Sequence, residues 1–340
     1  MIVRGVAIAL DFGGTKLAAG LVDLETGAVY KRVQERTPAE GGRQASLKLA
    51  LQMVREGLLE NVNVGGERAV PVPGASSSRL PVVGVGVSFG GHVDSARGIV
   101  QRSMHVSGWE QFPLADYLRE ALSLPAFIEN DANAIALGLK HFGPGKEYHQ
   151  FLYVTVSTGI GGALVVGDDV LRGGRNLAGE IGHMVIQPDG PLCSCGKWGC
   201  LEAVASGPAI ARIAQRAWEE DLKTRSAGRG KKVKFQRAEE VFQAARAGDM
   251  LAQRVIDEAA KHLGRGISYA VNVFDPDCVM IGGGVSRSGA EWFDTVVAEV
   301  RANVLPPVAE ELQVIRIQED IGAALKGAAA LIRARALARR

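Results

Sequence analysis

One histidine and three cysteines lie close together in a glycine-rich part of the chain. Cys193, Cys195 and Cys200 fall within eight residues, and His183 stands ten residues before the first of them. Three thiolates and an imidazole are the ligand set of a closed tetrahedral zinc site, which holds a loop and does no chemistry itself. An odd number of thiols argues against disulfide pairing, and their polar neighbours argue against core packing. We therefore predict a structural zinc ion at these four residues, and we predict that the isolated Cys278 is simply buried.

Three glycine-rich turns along the chain could approach phosphate oxygens closely. They are DFGGTK at 11–16, STGIGG at 157–162 and IGGGVS at 281–286. Backbone amides that no side chain obstructs are what close contact with phosphate requires. A strand follows each of the first two turns, so neither is the Rossmann fingerprint, and one of them alone would indicate only a tight hairpin. Three such turns in one chain favour a nucleotide site.

Two aspartates stand where predicted strands end. We predict that Asp11 holds a magnesium ion, directly or through water, while Thr15 and Lys16 face phosphate. An ordinary turn-capping aspartate is the other interpretation of Asp11. Asp131 lies between a buried strand and a helix, which is typical of a helix N-cap. The polar cluster 129–131 also lies at the carboxyl end of a strand, where α/β proteins bind ligands, so both interpretations of Asp131 stand on the residues alone.

The composition indicates a globular protein without a charged binding surface. The chain has 340 residues, of which 47% are hydrophobic, and this allows one large or two ordinary domains. Its 39 basic and 37 acidic residues give a net charge of +2, so no general attraction to nucleic acid or membrane is expected. The basic segments 223–237 and 333–340 are predicted to be solvated loop or helix faces. The first apolar segment is too short for a signal peptide or a membrane span, so we expect a cytoplasmic protein.

The hydrophobic pattern predicts an alternation of strands and helices. The first two glycine turns each join two strands, with a further hairpin turn at residues 26–27. Helical spacing covers 43–60, and the polar stretch 61–79 is expected to be an exposed loop. Helices dominate from about residue 206 onward, interrupted by one strand around Cys278. The chain closes with a helical segment over 322–340.

Five motifs together resemble the ROK family, named for repressors, open reading frames and kinases. They are DFGGTK, ENDAN, STGIGG, GEIGH and CxCGxxGCLE, in this order between residue 6 and about residue 330. The resemblance implies an α/β, actin-like (ribonuclease H-like) ATPase fold, with two α/β domains around a cleft, ATP on one side and a sugar between them. We place the smaller domain at 1–123, with the helix of about 322–340 packing on it. The larger domain, with the zinc-binding loop and a helical dimerisation surface, is placed at 124–321.

The resemblance also implies a role for each motif. Asp131 would be the general base that takes the proton from the sugar 6-hydroxyl as it attacks the γ-phosphate of ATP, with Mg2+ bridging the phosphates near Asp11. His183 would bind zinc through one ring nitrogen and face the sugar through the other. The residues expected to bind sugar hydroxyls are Asn130, Asp131, Glu180, His183 and Glu202. The residues expected to hold the phosphates are Gly13, Gly14, Thr15, Lys16, Thr158, Gly159 and Gly161, with Gly283 and Gly284 near the adenosine.

One segment departs from the family pattern. ROK glucokinases usually have proline and glycine where this chain has Ser88–Phe89, and the form here resembles the N-acetylmannosamine kinase branch as much as the glucokinase branch. Gly91 and His92 are expected to touch the sugar. Met104 or His105 is expected to shape the space around its C2 substituent. The identity of the sugar is therefore the least determined part of the prediction.

The expected activity is that of an ATP-dependent hexokinase, with glucose as the first candidate substrate. An N-acetylmannosamine or N-acetylglucosamine kinase is the alternative. A sugar-sensing regulator without turnover is disfavoured by the presence of Asp131 and Lys16, and by a start at the first strand, which omits the helix-turn-helix domain of ROK repressors. A nucleotide-driven scaffold or chaperone would not need the sugar-binding glutamates. ROK kinases are commonly dimers, so the expected partners are a sugar, ATP and a second copy of the chain, without nucleic acid or membrane.

Overall fold

The computed structural model of the protein describes residues 4–59, 63–64, 67–71, 79–103, 106–224, 235–318 and 322–338. The two residues expected to shape the C2 region, Met104 and His105, lie outside this part of the chain, as does most of the basic segment 223–237.

Strands and helices alternate along most of the chain. The strands are β1 (Val6–Phe12), β2 (Lys16–Asp23), β3 (Val29–Arg36), β4 (Asn63–Val64), β5 (Glu67–Pro71), β6 (Arg79–Phe89), β7 (His92–Asp94), β8 (Ile99–Arg102), β9 (Ala126–Asn130), β10 (Gln150–Val156), β11 (Ile160–Val166), β12 (Asp169–Val170), β13 (Cys278–Gly282) and β14 (Gln313–Arg316). The helices are α1 (Gly42–Gln52), α2 (Leu114–Leu122), α3 (Asp131–Phe142), α4 (Leu201–Ala205), α5 (Gly207–Thr224), α6 (Ala238–Arg246), α7 (Met250–Phe274), α8 (Ala290–Asn303), α9 (Pro306–Glu311) and α10 (Ala323–Ala338).

The chain divides into two compact units. The first contains residues 1–149, 164–178 and 320–340, and the second contains residues 150–163 and 179–319. The domain boundaries given above at 123/124 and 321/322 stay predictions.

The first unit is built on a mixed sheet with the strand order β3-β2-β1-β6-β5-β4, and β9 also pairs with β6. β1 pairs with β2 in antiparallel fashion, whereas β6 and β9 run parallel to β1. Alternate residues of β1 serve two different cores because successive side chains of a strand point to opposite faces. Ile8 and Leu10 join the large cluster with α1 and α2, and the smaller Ala7 and Ala9 join the cluster with α10.

Small residues let α10 approach the sheet and α3 closely. A Cβ atom at Gly86 of β6 would lie 1.8 Å from the Ala328 carbonyl oxygen of α10. A Cβ atom at Gly138 of α3 would lie 2.8 Å from the backbone nitrogen of Gly327. The closing helix therefore packs on the first unit, although it comes last in the sequence.

The second unit contains the parallel neighbours β10, β13 and β14, with β11 beside β10. β11 runs on into the first unit, where it pairs with β12. The long helix α7 is capped by Asp249, whose carboxylate accepts hydrogen bonds from Leu251 N and Ala252 N, at 2.9 and 3.0 Å. Helices α4, α5, α6 and α8 pack against α7. Cys278 is fully buried in β13, as predicted.

Most of the predicted elements are present, but the loop predicted over residues 61–79 is wrong in part. Glu67–Pro71 forms β5, which pairs with β6 in antiparallel fashion, and Asn63–Val64 pairs with β5. The pairing with β6 satisfies the backbone hydrogen-bonding groups of β5. The proline- and glycine-rich composition of this segment had not indicated a strand. Among the described helices, none combines the length and the apolar character that a membrane span requires.

Candidate functional site

The carboxyl ends of β1, β6 and β9 meet at one edge of the first sheet. The strand register places Asp11 opposite Ser88, and Ser88 opposite Glu129. Ser88 is fully buried, and its hydroxyl donates a hydrogen bond of 2.9 Å to Asp11 Oδ1. The predicted site residues Asp11, Asn130 and Asp131 are thus brought to the same edge by strand pairing alone.

The environment of the Asp11 carboxyl group disfavours its negatively charged form. Burial raises the pKa of Asp11 to about 7, the hydrogen bond from Ser88 opposes that rise, and the nearby charge of Asp131 adds to it. Both causes of the rise disfavour the ionised form. A cation bound beside Asp11 would reverse the effect, which suits the predicted magnesium ligand.

Asn130, rather than Asp131, caps helix α3. Asn130 Oδ1 accepts hydrogen bonds from Ala132 N and Asn133 N, at 3.0 and 3.3 Å, and its Nδ2 donates to the Gly91 carbonyl at 3.2 Å. The N-cap interpretation of Asp131 is therefore wrong by one residue, because the strand continues to Asn130. Asp131 occupies the first helical position, where the helix dipole favours a negative charge.

The first glycine turn is a tight connection between β1 and β2. Gly13 N donates to the Lys16 carbonyl at 3.0 Å, and a Cβ atom on Gly13 would lie 2.8 Å from that oxygen. Gly14, Thr15 and Lys16 are exposed. The turn therefore presents backbone and a lysine side chain to solvent, as a phosphate-binding turn would.

Phe89, which departs from the family pattern, packs into an aromatic cluster. Its ring centroid lies 4.9 Å from that of Trp109, edge to face, and the side chain is 2% exposed. The glycines after it stay close to the rest of the site: a Cβ atom at Gly90 would lie 3.8 Å from Asp131 Oδ2, and one at Gly91 would lie 2.5 Å from the Arg102 carbonyl. His92 follows at the start of β7 and is half-buried.

In the second unit, two of the predicted nucleotide turns lie next to each other. β10 and β13 run parallel, so the turn after Val156 and the turn after Gly282 leave the same edge of the sheet. Gly283 has φ of +93°, and a Cβ atom there would lie 2.4 Å from the Val156 carbonyl. A Cβ atom on Gly284 would make an ordinary contact of 3.7 Å with the Ser157 hydroxyl. Thr158 is exposed in this turn, and Gly161 is half-buried.

Glu202 is held against the second glycine turn. Its Oε2 accepts a hydrogen bond from Ile160 N at 3.0 Å, and a Cβ atom on Gly159 would lie 2.5 Å from the same oxygen. Its Oε1 accepts a hydrogen bond from the Ser194 hydroxyl at 3.2 Å. A side chain at position 159 would displace this carboxylate from its present place. The hydrogen bond from Ser194 links the carboxylate to the cysteine-bearing loop.

The predicted metal ligands converge. The ligand atoms of the histidine and the three cysteines all lie within 4.8 Å of one another. The sulfurs of Cys195 and Cys200 are 3.6 Å apart, and Cys193 Sγ lies 3.6 Å from His183 Nδ1. In a tetrahedral site with zinc–sulfur bonds of about 2.3 Å, the thiolate sulfurs lie about 3.8 Å apart. The number, type and spacing of these donors therefore fit a zinc ion.

The two ring nitrogens of His183 face different groups. Nδ1 points to the thiol cluster, and Nε2 lies 3.9 Å from Glu180 Oε2. Glu180 immediately precedes Ile181–His183, a one-turn 3₁₀ helix. Nδ1 is therefore the nitrogen available to a metal in the thiol cluster, and the role of Nε2 towards a sugar stays a prediction.

Two contacts of the first unit, at Asp11 and Glu129, were not predicted from the sequence. Ser88 reaches Asp11 across 77 residues, and Arg172 Nε reaches Glu129 Oε2 at 2.8 Å across 43 residues. Ser88 stood out in the sequence only as a departure from the family pattern, and Arg172 belongs to no motif. The strand register would have revealed Ser88, whereas nothing in the sequence marks Arg172.

Comparisons with known proteins cover nearly the whole chain. The ROK family model matches residues 7–335. A glucokinase of Thermotoga maritima is 35% identical over 333 residues, which cover 96% of this chain and 97% of the relative.

Two solved structures are also similar to this chain. A ROK hexokinase from Thermus thermophilus has a TM-score of 0.77 at 31% identity and covers 98% of this chain and 100% of its own. A ROK family glucokinase from Streptomyces griseus, solved in complex with glucose and AMPPNP, has a TM-score of 0.74 at 31% identity, over 96% of this chain and 99% of its own.

These similarities confirm the predicted actin-like ATPase fold, with its mixed sheets and helices. The family match spans every motif on which the resemblance rested, from DFGGTK to CxCGxxGCLE. The chain belongs to the ROK family.

Proposed function

We propose that this chain is an ATP-dependent hexokinase that transfers the γ-phosphoryl group of ATP to the 6-hydroxyl of a hexose, with glucose as the first candidate. The observation that carries the proposal is the placement of Asp11 and Asp131 at one edge of parallel strands. This placement occurs in a chain that is 35% identical to a glucokinase over 96% of its length.

Asp131 is the proposed general base. It stands at the start of α3, and its Oδ1 accepts a hydrogen bond of 2.8 Å from Ala132 N, which fixes the carboxylate. Gly90 passes beside Oδ2 without a side chain and so leaves space for a substrate hydroxyl. Removal of the hydroxyl proton as the oxygen attacks the γ-phosphate is the step that this carboxylate can assist.

The sugar hydroxyls are proposed to bind to polar groups that the fold already holds in place. Asn130 is oriented by its cap and by Gly91, and Glu202 by Ile160 N. Groups that are fixed before the substrate binds lose little entropy in binding it and position its reacting atom well. The full set of proposed sugar contacts is Gly91, His92, Asn130, Asp131, Glu180, His183 and Glu202.

The nucleotide is proposed to bind to the glycine turns, with Mg2+ near Asp11 and a structural Zn2+ at the thiol cluster. The exposed turn after β1 and the paired turns after β10 and β13 offer backbone amides. Bound magnesium would neutralise phosphate charge. The zinc ion would hold the loop that carries Ser194 and orient His183 through Nδ1.

A homodimer in the cytoplasm is the proposed state of the enzyme. Tyr269 and Val273 lie one helical turn apart on α7 and are 45% and 75% exposed. Leu305, whose N–H hydrogen-bonds Asn272, adds a third exposed apolar side chain. A patch of this kind favours pairing with a second copy. Sedimentation of the wild type as a dimer and of Val273→Asp as a monomer is the expected result, and a monomeric wild type would contradict it.

A coupled assay of ADP release tests the proposed activity. ATP with magnesium is offered with glucose, mannose, N-acetylglucosamine or N-acetylmannosamine. We expect turnover with glucose that Asp131→Asn abolishes and that Asp116→Asn, on the exposed face of α2, preserves. A preference for either N-acetylated sugar would assign the chain to the alternative kinase. Sugar binding without turnover in the wild type would instead indicate a regulator.

A further inference from the structure

A buried carboxylate lies two residues before the proposed general base in the chain. Glu129 is 2% exposed and precedes Asn130 and Asp131 at the end of β9. A carboxylate in such a place must be hydrogen-bonded and paired, because its desolvation is otherwise too costly.

Three donors meet this need. Glu129 Oε1 accepts hydrogen bonds from Asn130 N at 3.0 Å and from Asn133 Nδ2 at 3.2 Å. Glu129 Oε2 accepts one from Arg172 Nε at 2.8 Å. One carboxylate therefore ties the last residue of the strand and the first turn of α3 to a distant arginine.

Arg172 is itself fixed by the hairpin that ends in β12. Its two terminal nitrogens donate to the two oxygens of Asp169, each at 2.9 Å, and one also donates to the Val170 carbonyl at 3.2 Å. Burial lowers the pKa of Arg172, but hydrogen bonds and charge from Asp169 and Glu129 outweigh it and raise the pKa above its ordinary value. The guanidinium thus presents a permanent positive charge to Glu129 in one orientation.

The same hydrogen bonds set the geometry of the base. Glu129 holds the backbone of Asn130, whose side chain caps α3 and bonds Gly91. A turn of that backbone would change both the cap and the direction of Asp131. We propose that Arg172, acting through Glu129, is a positioning residue that fixes Asp131 for proton removal. This inference rests on the proposed kinase function.

Loss of the guanidinium is expected to slow the chemical step. An uncompensated carboxylate at Glu129 would draw in water or rotate, and the strand end would move with it. Because misplacement of a reacting group by about 1 Å can cost about 10²-fold, we expect kcat of Arg172→Met to fall by roughly 10- to 100-fold. The KM for ATP is expected to stay unchanged, since the nucleotide turns are untouched.

A matched pair of variants tests this. Arg172→Met removes the guanidinium, and Arg175→Met makes the same change at an exposed position of the same loop. Thermal unfolding is measured in parallel, and kcat is compared well below both transitions. A wild-type kcat in folded Arg172→Met would overturn the proposal, whereas a lowered kcat in that variant alone supports it.

Chemical rescue separates positioning from folding. Arg172 lines a cavity of about 400 Å³, together with Phe127, Leu137 and Leu331, so a small cation has a path to the vacated place in Arg172→Ala. We expect millimolar methylguanidinium, but not methylammonium, to raise kcat of Arg172→Ala several-fold, because only the planar fork matches both carboxylates. Slow turnover that methylguanidinium leaves unchanged would assign Arg172 a folding role and overturn the inference.

The controls distinguish the two proposals. A wild-type protein that phosphorylates no hexose would remove the proposed function. An active wild type that loses turnover in Asp131→Asn but keeps full kcat in Arg172→Met would remove only the positioning role.

Discussion

The proposed site residues of the two units are held in place in different ways. In the first unit, Asp11, Asn130 and Asp131 stand at strand ends, and their positions follow from the register of β1, β6 and β9. In the second unit, Glu180 and His183 lie at a 3₁₀ turn outside the sheet, and His183 Nδ1 contacts the thiol cluster. A sheet fixes side chains through many backbone hydrogen bonds, whereas a loop needs a few strong ties. The residues at the strand ends of the first unit should therefore tolerate loss of zinc, whereas Glu180 and His183 in the second unit should not.

The largest effect is expected at Asp131, the proposed general base in the first unit. Asp131→Asn keeps the size of the side chain but removes the proton acceptor, so kcat should fall by about 10²- to 10⁴-fold. Glucose binding, measured by calorimetry, should persist because the cap by Asn130 is unchanged. Near-normal turnover in this variant would take Asp131 out of the mechanism.

The next effect tests how closely the turns of the second unit are packed. Gly283→Ala places a Cβ atom 2.4 Å from the Val156 carbonyl, whereas Gly248→Ala, at the similar φ of +91°, meets nothing within 4 Å. Both changes cost left-handed strain, but only the first adds a backbone clash, so we expect Gly283→Ala to lower the free energy of unfolding by roughly 2 kcal/mol more. Chemical denaturation measures the difference, and equal losses would contradict the close approach.

Loss of zinc should affect the proposed site residues of the second unit and spare those of the first. Cys200→Ser is expected to lower zinc content and to raise the KM for the sugar about 10- to 100-fold, because His183 loses its anchor. The KM for ATP should change little. Cys278→Ala, in buried β13, is the control and should retain zinc. Zinc well under one ion per wild-type chain would contradict the cluster assignment.

The pH dependence of stability reports on Asp11. Its folded pKa is raised to about 7 from 3.8, so between these values the folded state binds more protons than the unfolded state. The free energy of unfolding should therefore fall as pH rises from about 4 to about 7, by up to about 2 kcal/mol once the partial exposure is allowed for. Asp11→Asn should flatten this slope, and the same slope in both proteins would show that another group causes it.

The smallest expected effect concerns Ser88. Ser88→Ala removes the hydrogen bond to Asp11, which is worth about 1 kcal/mol of stability. It should also raise the pKa of Asp11 further and shift the fall in stability to higher pH. A Ser88→Thr variant keeps the hydroxyl and serves as the control. An unchanged pH profile in Ser88→Ala would mean that the hydrogen bond does not influence Asp11.

The sequence predicts the parts of the site that carry their own local signal. The glycine turns, the helix that starts at Asp131 and the cysteine spacing are each defined by residues that are neighbours in the sequence. The structure shows the cysteine cluster and the turns where the pattern predicts them. β5 was missed because a strand rich in proline and glycine neighbours is specified by its partner β6, not by its own residues. Arg172 was missed because its contact with Glu129 joins residues 43 apart and depends on tertiary packing.

The most direct measurement is a ³¹P NMR time course of the wild-type protein with glucose, ATP and magnesium. The proposed function predicts a hexose 6-phosphate resonance that grows as ADP appears, in equal amounts, and that is absent with Asp131→Asn. ATP breakdown to inorganic phosphate without a sugar phosphate, or an unchanged ATP spectrum with glucose and each of the other three sugars, would contradict the account.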